Sequence, residues 1–230
     1  MTTSPSSRRV DRRARLDIGI RIILALLFAL FSGFYLQNAL EEFRKLDPAN
    51  IDIGILVHGL SILAVMLYTF MLACVYALRL KPTNAFAGIW PTTAAILGGF
   101  LILAVTCFRQ RTDLPLGVQI GAGLLIFVGE GLTAFVLAYL GRSFSILPES
   151  RRLVTSGPYR WVRHPLYVAE ALATIGVLIN FLGVWTALLI ALQLMLQFVR
   201  MHYEEQVLRA NFPDYEDYAR RTARLIPGVY

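Results

Sequence analysis

Two short polar stretches in this chain combine aromatic, basic, acidic and imidazole groups. Both lie against segments apolar enough to cross a bilayer. The first is Leu153-Val154-Thr155-Ser156-Gly157-Pro158-Tyr159-Arg160-Trp161-Val162-Arg163-His164-Pro165-Leu166-Tyr167, and the second holds Arg200, His202, Glu204 and Glu205. In the first, the Leu-Val-Thr run offers open backbone groups and Gly157-Pro158 marks a turn. Pro165 suits the first turn of a helix, where a missing N–H costs nothing. The start of such a helix attracts carboxylates and other anions, because its free N–H groups and its dipole act in the same sense. In the second stretch, Arg200 and Glu204 are four residues apart and share a helix face. Plainer readings stand beside these. An exposed Arg–Glu pair at a helix end is worth at most about 1 kcal/mol, and His164, Tyr159, Trp161 and Tyr167 also fit the aromatic belt of a membrane interface.

The elements that must position these groups follow from composition. The chain has 230 residues, 57% hydrophobic and 16% charged, with a mean hydropathy of +0.59. A soluble domain carries about 25% charged residues, so the class is an integral membrane protein. Arginines cluster at the ends of apolar runs, so the net charge of +7 fits the cytoplasmic face of a membrane and excludes a nucleic-acid partner. Cys74 and Cys107 sit inside apolar runs with no ligand spacing around them, which points away from a disulfide or a metal site. The basic N-terminus resembles the head of a signal peptide, but the apolar run behind it is too long for one and has no small-residue cleavage site.

A spanning helix needs about 20 apolar residues, and four runs reach that length: Ile18–Leu40, Ile53–Leu78, Phe86–Phe108 and Leu116–Leu140. The next apolar stretch, Leu166–Val199, is interrupted by Asn180-Phe181-Leu182-Gly183, a turn signal. It reads as a helical hairpin whose ends return to one side, bringing His164 and Tyr167 near Arg200 and Glu204. The expected fold is therefore an all-α polytopic membrane bundle: a basic segment 1–17, four full transmembrane helices within 18–140, and a region 141–230 with a hairpin at 166–199 and a short amphipathic cytoplasmic tail broken at Pro213. The arginine asymmetry of the loops places both termini and both polar stretches in the cytoplasm, and the expected location is a bacterial inner membrane. Glu130, between Gly129 and Gly131, is the one carboxylate deep in the first four helices. It reads either as a packed carboxyl or as a contact to substrate.

The run Leu153–Tyr167, followed by Arg200, Glu204-Glu205 and Leu208 and led in by Leu140-Gly-Arg-Ser-Phe-Ser145, resembles the isoprenylcysteine carboxyl methyltransferase family and its phospholipid methyltransferase relatives. The resemblance covers about the last 90 residues; the first four helices share only their apolar character. Ala169 stands where the family usually has glycine, and a small residue still permits close helix packing. The resemblance implies an S-adenosylmethionine-dependent membrane methyltransferase with a lipophilic acceptor and no metal. It implies cofactor contacts from Arg152, Leu153, Val154, Tyr159, His164, Pro165, Tyr167 and Glu204. Arg200 is implied to face the reactive group of the acceptor; Glu205, and Glu130 on its intramembrane position alone, are also expected on the acceptor side.

These groups suit in-line methyl transfer, which needs orientation and desolvation rather than a nucleophilic side chain. His164 and the helix start suit the cofactor carboxylate, Glu204 its ammonium, and Tyr159 and Tyr167 its adenine or cationic sulfonium. Arg200 suits an acceptor carboxylate or phosphate. A Gly-x-Gly fingerprint after a strand is lacking, so a Rossmann cofactor domain is not expected. The acceptor remains open among a prenylcysteine carboxylate, a phospholipid amine and a small thiol. A membrane binding or transport protein without catalysis is the alternative from another class.

Overall fold

The computed structural model describes residues 5–80, 84–85, 88–111, 113–147 and 149–228. Phe86, expected to begin the third crossing, and Lys81, at the end of the basic loop Arg79–Lys81 that enters the charge asymmetry, lie outside the described residues. Seven helices account for most of the rest: α1 Pro5–Phe43, α2 Ile53–Leu78, α3 Ile89–Phe100, α4 Leu116–Leu140, α5 Pro165–Asn180, α6 Val184–Asn211 and α7 Tyr215–Arg221. Two residue pairs, β1 Asn84–Ala85 and β2 Glu149–Ser150, join antiparallel with Asn84 opposite Ser150. The all-α polytopic bundle is the architecture found.

Its details depart from expectation in three places. The basic N-terminal segment is not separate from the first helix, because α1 is already helical from Pro5. The four helices long and apolar enough to span a bilayer lie at Asp17–Phe43, Ile53–Leu78, Leu116–Ser143 and Val184–Asn211; the fourth is therefore the second arm of the hairpin and not the third apolar run. That third run forms the 12-residue α3 and then seven residues of 3-10 helix, Leu101–Cys107. A 3-10 turn rises about 2.0 Å per residue against 1.5 Å for an α-helix, so these residues still cover about 32 Å, the thickness of a hydrocarbon core. Finally, α6 does not stop at Val199 but continues to Asn211, carrying the second polar stretch on continuous helix.

The helices pack α1 on α2, α2 on α4, α4 on α5 and α3 on α6. Small residues set the closest approach. A methyl group on Gly129 would strike the backbone of Ala173, and one on Gly176 would meet the carbonyl oxygen of Ala122 at 2.5 Å, so α4 and α5 touch nearly backbone to backbone. Ala169, the departure from the family pattern, is buried on the same helix. Large side chains on the outer faces, among them Ile23, Leu30, Trp90 and Trp185, are more than half exposed, as residues that meet lipid must be. Asp52 starts α2 by accepting from the Gly54 and Ile55 N–H groups at 2.7 and 3.2 Å.

Candidate functional site

The first polar stretch forms a loop between α4 and α5 that the C-terminal tail clamps. Gly157 adopts φ +60, and its Cα faces the Tyr139 ring so closely that a side chain has no room. The turn requires glycine on both counts. Val162 bridges Ala223, the Arg163 and His164 N–H groups donate to the Ala223 and Arg224 carbonyls at 2.8 and 3.1 Å, and the Tyr218 hydroxyl donates to the Tyr159 carbonyl at 2.7 Å. Burial raises the phenols of Tyr159 and Tyr218, the latter to about 12, so both stay neutral at physiological pH. His164 is the residue before Pro165 at the start of α5 and is held there by its own backbone rather than by a side-chain cap.

The hairpin then does what its turn implied. The Tyr167 hydroxyl on α5 donates to Glu204 Oε1 on α6 at 2.5 Å, the Arg200 guanidinium lies 5.2 Å from the Tyr167 ring centroid, and Arg200 Nη2 is 3.8 Å from Glu204 Oε1. His164 meets Tyr167 edge to face at 5.5 Å.

Two cavities adjoin this cluster. The first, about 120 Å³, is lined by Ser143, Ser145, Tyr159, His164, Tyr167, Arg200, Glu204 and Leu208, among others. The second, about 360 Å³, lies among α1, α2, α3, α4, α5 and α6 and is mainly apolar, with Phe28, Leu72, Val105 and Ile126 in its wall. It also presents Tyr68, Glu130, Glu170, Gln193 and Gln197. Arg200 and Phe144 line both, and of these two shared residues Arg200 carries the charge. Along α2 the second cavity extends from His58 to Leu72, about 21 Å of helix.

Of the residues singled out in the sequence, Tyr159, His164, Tyr167, Arg200 and Glu204 converge on the smaller cavity and Glu130 lines the larger. Arg152, Leu153, Val154 and Pro165 line neither: Arg152 is exposed, Leu153 half-buried, and Val154 packs in the apolar core with Phe28, Tyr76 and Leu137. Glu205 is also elsewhere than expected. It lies under the loop between Arg163, His164, Arg224 and Arg209 at 3.1, 3.0, 3.3 and 3.4 Å, because neighbouring helix positions point about 100° apart and Glu204 already faces the cavity.

Four residues escaped the sequence reading: Tyr68, Glu170, Gln193 and Gln197. Glu170 accepts from the Tyr68 hydroxyl at 3.3 Å and from Gln197 Nε2 at 2.9 Å, and Gln193 Nε2 donates to the Gly98 carbonyl at 2.5 Å. The signal for three of them was present. Gln193, Gln197, Arg200 and Glu204 follow a four-three-four spacing that puts them on one face of α6, and Glu170 is one turn after Tyr167. Among the described residues, His, Cys, Asp and Glu do not gather in a group of three able to hold a metal ion.

Comparison with known proteins supports the placement of this segment. The chain is 32% identical over 147 residues to the nickel-cobalt-cadmium resistance protein NccN of Alcaligenes xylosoxydans xylosoxydans, covering 62% of this chain and 64% of that protein. It is 39% identical over 148 residues to the cobalt-zinc-cadmium resistance protein CzcN of Cupriavidus metallidurans, covering 62% and 63%. It is 32% identical over 112 residues to protein-S-isoprenylcysteine O-methyltransferase B of Arabidopsis thaliana, covering 46% and 57%. The match thus spans less than two thirds of each relative. The profile of the isoprenylcysteine carboxyl methyltransferase (ICMT) family matches residues 122–210, from within α4 to the end of α6. That segment is therefore similar to the isoprenylcysteine carboxyl methyltransferase family, by the family model and by the plant relative alike.

Proposed function

We propose that this protein is an S-adenosylmethionine-dependent methyltransferase of the membrane, with a cofactor groove at the cytoplasmic face and a lipophilic acceptor in the larger cavity. The observation that carries this reading is the meeting of a small polar cavity and a large apolar one at Arg200. A soluble reactant and a bilayer-borne one need such a junction.

The groups around the smaller cavity suit the cofactor. Glu204 keeps 26% of its side chain exposed there, a carboxylate for an ammonium. His164 and the start of α5 suit a carboxylate, and the Tyr159 and Tyr167 rings supply aromatic surface. A volume of about 120 Å³ does not enclose a nucleoside, so part of the cofactor would remain open to the cytoplasm. When bound, S-adenosylmethionine supplies an electrophilic methyl on a cationic sulfur. Arg200 orients the acceptor by a planar two-point contact, Tyr167 fixes Arg200 from below, and the apolar walls of the larger cavity exclude water.

Calorimetric titration of the detergent-purified protein with S-adenosylhomocysteine tests the cofactor reading, followed by assay of lipid extracts as methyl acceptors. Saturable binding with transfer to an extractable lipid is expected. Absence of binding to the folded protein rejects an enzyme and favours a membrane binding protein on the same scaffold.

A further inference from the structure

The larger cavity has polar groups at three depths, measured along the helices from Arg200. Arg200 and Tyr167 mark the first. Glu170 and Gln197, hydrogen-bonded to each other, are three residues further along their helices, about 4.5 Å. Gln193 is seven residues from Arg200, about 10 Å. Glu130 belongs to the same third level: its neighbour Gly129 packs against Ala173, six residues and about 9 Å along α5 from Tyr167.

The first level leaves a donor over, Arg200 Nε, buried without an acceptor; the second is internally satisfied; the third leaves acceptors over. Glu170 has Tyr68 and Gln197 as donors. Gln193 spends its amide N–H on the Gly98 carbonyl, yet its Oε1 has no partner although the residue is only 3% exposed. Glu130 Oε2 is likewise buried without a partner, and among the described residues no cation pairs with Glu130. Two unpartnered acceptor atoms on residues that line one cavity, one of them a carboxylate, are costly to hold in a membrane interior. Both lack donors, and the carboxylate also lacks a positive charge.

We propose that Glu130 and Gln193 form a second subsite that receives an N–H-bearing ammonium group of the ligand, about 10 Å along the cavity from Arg200. The ligand is then an amphiphile polar at two points, with an anionic group at Arg200 and an ammonium deeper in. A purely hydrocarbon chain leaves both acceptors unpaired. An ammonium fits better than a neutral hydroxyl because it matches the charge of Glu130 and carries enough donors for both oxygens. The proposal takes from the acceptor reading above only that Arg200 marks one end of the ligand.

The test measures binding without cofactor, so it is independent of methyl transfer. The purified protein is titrated with ω-aminooctanoic acid, whose extended length matches the Arg200-to-Glu130 span, with octanoic acid, and with the N-trimethylated amino acid, which keeps the charge but has no N–H. The amino acid is expected to bind about tenfold or more tightly than the other two. Glu130→Gln should remove most of that preference, and Gln193→Leu part of it, in variants whose melting shows them folded. Equal affinities for the three probes, including no measurable binding of any, overturn the subsite. So does a preference that survives in both variants. Loss of S-adenosylhomocysteine binding with this preference intact would reject only the methyltransferase reading.

Discussion

Arg200 lies across Gly98: a methyl group on that glycine would meet the arginine Cδ at 2.7 Å. The position is a seat for the guanidinium, and it occurs two residues before α3 gives way to the 3-10 turn. Gly98→Ala should push Arg200 out of register with the cavity junction. Displacement of a positioning group by about 1 Å costs on the order of a hundredfold in rate. We expect methyl transfer to fall by that factor while S-adenosylhomocysteine affinity, read by calorimetry, stays within about twofold of wild type.

Arg200→Lys separates charge from shape. Lysine keeps the positive charge but loses the planar fork, so turnover should drop markedly with cofactor affinity nearly unchanged. Loss of cofactor binding in the folded variant would move Arg200 into the cofactor site.

His164→Ala and Glu204→Ala should each weaken cofactor binding about ten- to a hundredfold, the value of one charge-assisted contact of roughly 1.5 to 3 kcal/mol. Native affinity in both variants removes these assignments.

Glu205→Gln should act on stability instead. Its carboxylate is 4% exposed and is the common partner of Arg163, His164 and Arg224. Removing one charge from a buried ionic cluster costs about 3 kcal/mol or more. Its melting temperature should fall clearly below that of Glu204→Gln, and equal melting of the two variants would refute the structural role.

The proposed orientation is open to labelling. Single cysteines at Ser6, Ser150 and Gly228 should react only from the cytoplasmic side and one at Asn50 only from the other, following the arginine asymmetry of the loops. Opposite-side reaction of Ser6 and Ser150 refutes an even number of crossings between them.

Those elements that depend on composition were legible in the sequence. The apolar runs, the hairpin break at Asn180 to Gly183 and the break at Pro213 correspond to the observed ends of α5 and α6, because a bilayer demands apolar length and the turn residues interrupt it. The convergence of His164 and Tyr167 with Arg200 and Glu204 followed from the hairpin alone. The 3-10 turn after α3 was not legible, since it coincides with contacts from α6: Gln193 on the Gly98 carbonyl and Arg200 over the same glycine. The side-chain surroundings of Val154 and Glu205 were not legible for a related reason. The resemblance gave their positions in a motif, but only tertiary packing shows that Val154 turns into the core and Glu205 into the arginine cluster.

The two cavities share Arg200 and Phe144 in their walls, and this has a kinetic consequence on the proposed reading. The enzyme would work as a phase-transfer catalyst, with each reactant remaining in its own solvent. Its saturation would then follow the mole fraction of acceptor in the bilayer, while its response to the nucleotide-like reactant would follow ordinary molarity.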